Sequence, residues 1–115
     1  MKILVTSPIK DYDQTTDILK GDTKEPLTIR DVIATALNNP VQDEIMTAED
    51  KNKSFQITTK IYSTDEPDLT VSERAYIQTR VTKMYLNPLI GGRIGELFEE
   101  KKEEKDKVGA DPIQR

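Results

Sequence analysis

The sequence has no histidine, no cysteine and no tryptophan. Without the first two, Ser-His-Asp and Cys-His catalysis, thiolate chemistry and every zinc site that needs imidazole or thiolate are excluded. Disulfides are excluded as well, so nothing points to an oxidising compartment. Aromatic rings are scarce, with four tyrosines and two phenylalanines, which leaves few platforms for stacking bases. No apolar run approaches the roughly 20 residues that a bilayer span requires. The opening stretch, MKILVTSPIKDYD, lacks the apolar h-region of a signal peptide. These absences predict a cytoplasmic protein with no membrane partner, no metal and no cofactor. They also make an enzyme unexpected, because any catalysis would fall to carboxylates, lysines or oxygen ligands.

What is present describes a small core with solvated ends. The 115 residues fit one domain. Apolar residues make up 35% and charged residues 33%, the latter above the usual roughly 25%. The net charge is −4, and it is unevenly placed. Residues 1–50 carry five basic and ten acidic side chains, whereas residues 51–115 are nearly balanced. An overall anion is a poor non-specific nucleic-acid binder, since phosphate repulsion opposes counterion release.

The β-branched run at Ile3 to Val5, the polar stretch Asp11 to Asp17 and the pair Ile18-Leu19 predict two short strands around a loop, a hairpin or edge ribbon. Three helix starts follow: Thr28 with Asp31, Thr47 with Asp50, and Thr70 with Glu73. In each, a threonine caps an N-terminus and an acid follows three residues later, and only the third has the glutamate of a full capping box. Ile29, Val32, Ile33, Ala36 and Leu37 form one apolar stripe, ended by Asn38-Asn39-Pro40. The second helix is expected over about Ala48–Tyr62, with Phe55, Ile57, Ile61 and Tyr62 on its buried side. The third is expected over about Val71–Leu86, with Ile77, Val81, Met84 and Tyr85 on one face. A fourth begins at Pro88 and carries Leu89, Ile90, Ile94, Leu97 and Phe98. The run EEKKEEKDK after Phe98 reads as a solvated helical extension. The expected fold class is therefore α+β, mostly α: an N-terminal β-ribbon followed by four short helices. A single domain spans 1–101, and 102–115 is a charged tail. So small a core and an exposed ribbon edge make a homo-oligomer the expectation.

The least ordinary stretch is Asn87 to Gly95, NPLIGGRIG. Glycine inside a helix costs roughly 1 kcal/mol relative to alanine, so Gly91, Gly92 and Gly95 call for close approach by a ligand or by a neighbouring helix. Arg93 beside them is a fork-shaped anion donor. With Arg80, Lys83 and Tyr85 they form a candidate nucleotide-binding set: Tyr85, Asn87, Gly91, Gly92, Arg93, Arg80 and Lys83. The competing reading is tight helix packing with charges paired to Glu73 and Glu96. Asp11, Asp13, Asp17 and Asp22 in the loop only faintly suggest a calcium loop, since no glycine or closing glutamate falls at the required spacing.

The order of segments resembles that of small accessory proteins of tailed bacteriophages and prophages. The matching positions are Leu27, Thr28 and Val32, then Lys60, Ile61 and Tyr62, then Leu69, Thr70 and Glu73, within a span from about Met1 to Glu100. The approach through Pro26-Leu27-Thr28 to Arg30, Asp31 and Val32 is also similar to phage tail assembly chaperones. Those are acidic proteins that begin with a β-segment and bind the tape-measure protein. The resemblance implies a non-catalytic protein acting by stoichiometric binding in the host cytoplasm. Its role is expected to be host-defence counteraction, by sequestering a nucleotide immune signal or occluding a host protein. Tail assembly is the alternative.

Overall fold

The computed structural model describes residues 1–41 and 44–109, with side chains up to Phe98. Four helices follow one another: α1 (Ile29–Asn38), α2 (Ala48–Ser63), α3 (Val71–Met84) and α4 (Pro88–Gly109). All three threonine caps form, and each is reciprocal. The Thr28, Thr47 and Thr70 side chains accept from the N–H of Asp31, Asp50 and Glu73, and those carboxylates accept in return from the threonine N–H. The two aspartates thus close the box as the glutamate does, although their bond at Thr47 is long, 3.4 Å against 2.8 Å at Thr70.

The α+β expectation is corrected: among the described residues there is no strand and no sheet, and the fold is all-α. The ribbon is replaced by isolated antiparallel bridges, Pro8 with Thr28, Lys10 with Asp17 and Leu19 with Pro26. Three segments meet there in a closed ring. Ile9 N–H donates to Leu27 O (2.7 Å), Leu27 N–H to Ile18 O (2.7 Å), and Ile18 N–H to Ile9 O (2.9 Å). A ladder cannot lengthen from these contacts, because Pro8 and Pro26 occupy bridge positions and lack an N–H to donate. The ring also closes the ribbon edge on which self-association was expected to draw. Residues 1–5 run instead beside the α2–α3 connection, with Ile3 N–H on Pro67 O (3.1 Å) and Val5 N–H on Asp65 O (2.9 Å).

Helix α1 lies at the centre, packed against both α2 and α3, and α4 packs on α3. The α1 stripe is buried at all five expected positions. Ile57 and Ile61 of α2, Ile77 and Val81 of α3, and Ile90, Ile94 and Phe98 of α4 join it in one core with Ile3, Val5 and Ile9. Each such side chain stabilises the fold by roughly 1.5–3 kcal/mol of burial. The expectation for α2 fails in part: Phe55 and Tyr62 are exposed, 68% and 57%. Residues 55 and 57 are about 200° apart around a helix, so they cannot share a face. Helix α4 continues to Gly109. Of the expected tail at 102–115, residues 110–115 and all side chains lie outside the described residues. No helix among the described residues is long and apolar enough to cross a membrane.

Candidate functional site

The expected anion-binding set lies along the C-terminal half of α3 and the first turns of α4, but its groups face different neighbours. Arg80 is buried, 4% exposed. Its guanidinium donates to both oxygens of Glu44 (2.5 and 2.6 Å), to Ala36 O (3.1 Å) and to Asn39 O (2.7 Å). It thereby satisfies carbonyls at the end of α1 that have no intrahelical partner, and it ties the α1–α2 connection to α3. Lys83 approaches the same Glu44 at 3.6 Å. These contacts, Arg80's hydrogen bonds foremost, hold the Glu44 carboxyl below its ordinary pKa.

Arg93 is engaged elsewhere. It donates to Lys10 O (2.9 Å), Asp11 O (2.5 Å) and Glu96 (3.0 Å), and so fastens the first loop of the ring to α4. Arg30 repeats the pattern on α2, donating to Ile61 O (2.9 Å) and Thr64 O (3.1 Å). Three arginines thus act as staples on main-chain carbonyls, each filling a fork of donors with acceptors of the protein itself.

The remaining members serve local structure. Tyr85 ends α3; burial pushes its hydroxyl pKa up, against a hydrogen bond from Thr35. Asn87 accepts from Leu89 N–H at 2.7 Å and so starts α4. Gln78 of α3 donates to Gly91 O (3.3 Å) and lies 3.4 Å from where a Cβ on Gly95 would sit, so α3 and α4 approach closely at these positions. Gly92 has open space on its outer side. The loop acids are likewise engaged: Asp13 accepts from the Thr16 hydroxyl and from the N–H groups of Thr16 and Thr15, all of which lower its pKa.

A concave surface adjoins the Arg80–Glu44 pair, with Glu44 in its lining. A cleft of about 490 Å³ opens between the end of α1, the α1–α2 connection and the first half of α2. Leu37, Asn38 and Pro40 form one wall, Glu44, Ile45 and Met46 the second, Lys51 and Ser54 the third. Ile45 is 89% exposed at its rim. Glu44 is paired with Arg80 and Lys83, so among the described residues the cleft presents apolar side chains, the polar Asn38 and Ser54, and the Lys51 ammonium. No sequence motif marks this site. The one local sign is Ile45-Met46, an apolar pair in a connection that no helical stripe claims.

Comparison with protein-family models, curated proteins and solved structures finds no match.

Proposed function

We propose that this chain is a non-catalytic binding protein of the phage accessory kind its sequence resembles, and that it acts by occluding another protein. The observation that carries this reading is the open cleft of about 490 Å³ with Ile45 exposed at its rim. Among the described residues the recess offers Pro40, Ile45 and Met46 and one cation not paired to a carboxylate, Lys51, and such a lining suits the anchor side chain of a protein partner better than a nucleotide. Sequestration of a nucleotide signal has weaker support, because Arg80 and Arg93 donate to carbonyls and carboxylates within the protein.

The test places a photo-crosslinking amino acid at position 45 and, as control, at exposed position 23, in phage-infected cells. One stoichiometric adduct specific to position 45 is expected. A host defence protein in that adduct supports occlusion of host defence, and a tape-measure protein supports the tail-assembly alternative. Equal adducts at both positions, or none, overturn the reading. Calorimetric titration with cyclic and ADP-ribose-type nucleotides is expected to give no heat; saturable heat would restore the sequestration reading.

A further inference from the structure

Helix α2 packs on α1 through Ile57 and Ile61 and leaves its opposite face uncovered. Ala48, Asn52, Phe55, Thr59 and Tyr62 are all exposed. At about 100° per residue they fall on one strip less than a quarter of the helix wide. Ala48, Phe55 and Tyr62 recur at seven-residue spacing, the period of a helix–helix seam. Two of the chain's six aromatic rings are therefore presented to solvent on a single line. Tyr62 is also held in place, with the Arg30 guanidinium 5.2 Å from its ring centre, so ordering it against a partner costs less side-chain entropy.

We propose that this strip is a homodimer interface in which α2 pairs antiparallel with α2 of a second copy, with the two-fold axis at Phe55. The strip complements itself in that register. Seven residues on either side of the axis, Ala48 meets the partner subunit's Tyr62, small against large, while the two Phe55 rings meet at the centre. Charge agrees: Glu49 falls opposite the partner subunit's Lys60, and the two Lys51 side chains stand about 12 Å apart along the axis. Lys60 already meets Glu73 at 2.9 Å and keeps further donors. A parallel pair would set Ala48 on Ala48 and Tyr62 on Tyr62, small on small and large on large, would leave Glu49 about 16 Å along the helix axis from the partner subunit's Lys60, and would align the helix dipoles unfavourably. An unrelated partner has no need of a strip that matches its own two-fold image. One 16-residue helix face on each side covers on the order of 1,000 Å² in total, the low end for a specific interface, so the dimer is expected to be transient, with micromolar affinity. The proposal does not depend on what the cleft holds.

Because the chain has no cysteine, single substitutions read the register directly. Under mild oxidation at tens of micromolar protein, Phe55→Cys is expected to form a homodisulfide dimer far faster than Ala48→Cys or Tyr62→Cys alone. A mixture of Ala48→Cys and Tyr62→Cys is expected to form the heterodisulfide. In sedimentation equilibrium the unaltered protein should show a reversible dimer. Phe55→Asp should weaken it by at least about tenfold, with helicity kept in dilute, monomeric protein because Phe55 lies outside the core. A protein that stays monomeric at hundreds of micromolar overturns the proposal. So does Ala48→Cys that cross-links to itself as fast as Phe55→Cys, since that would show a parallel pair.

Discussion

The α3–α4 side and the α1–α2 side differ in emphasis rather than in kind, since Arg30 also staples α1 to α2 and Leu86, between α3 and α4, is itself 90% exposed. On the first, the groups with the most chemical promise are turned inward: Arg80 reaches the end of α1 and Glu44, Arg93 reaches the ring, and Gly91 and Gly95 let Gln78 in. On the second, ordinary apolar residues are left facing water: Ile45 at the cleft, Phe55 and Tyr62 along α2. Guanidinium groups have five donors and find acceptors readily inside a small protein. An exposed aromatic ring gains nothing from solvent. The proposed contacts of this chain therefore rest on apolar surface left to water rather than on charged residues with unusual neighbours.

The sharpest way to break this contrast is at Arg80. Replacing it with leucine takes the donor from the Ala36 and Asn39 carbonyls and leaves Glu44 with only Val41 N–H and the more distant Lys83, and a loss of about 2 kcal/mol or more is expected in urea unfolding. Survival of full stability together with loss of a bound anion would make α3–α4 a ligand site after all. Arg93→Ala comes next, with about 1 kcal/mol lost as the Lys10 carbonyl loses its donor and the Asp11 carbonyl keeps only Gln14 N–H. Gly92→Ala is expected to raise stability by up to about 1 kcal/mol, since nothing stands within 4 Å of the added carbon. A drop would mean that something approaches there.

The smallest effect is in acid. The Glu44 pKa is lowered from its ordinary 4.5 by Arg80. Its contribution is therefore complete above about 4.5 and disappears as pH falls through the lower folded value. Asp68, lowered by the N-terminal amine, and Glu73 add in the same direction; at Glu73 burial opposes the shift, and hydrogen bonds from Thr70 and Lys60 outweigh it. Tm measured from pH 6 to pH 3 should fall, and Glu44→Gln should flatten part of that slope.

Much of the helical order was legible because it is local. The three threonine caps, the α1 stripe and the proline at the start of α4 each depend on residues within a turn or two. The α2 face was legible too, had the spacing of Phe55 from Ile57 been weighed against their shared apolarity. The ring was not legible, because Ile9, Ile18 and Leu27 are joined by one hydrogen bond per pair, between segments nine or eighteen residues apart, with no alternating run to announce it.

Taken alone, the sequence determined where the helices begin, which residues of α1 enter the core though not all of those of α2, and that imidazole and thiol chemistry are absent. Only the tertiary structure decided which charges remain available, because the acceptors lie far along the chain. Arg80 meets Ala36 across 44 residues and Arg93 meets Lys10 across 83. A side chain's chemistry is set by its residue type, but its partners are set by packing, and it is the partners that separate a staple from a site.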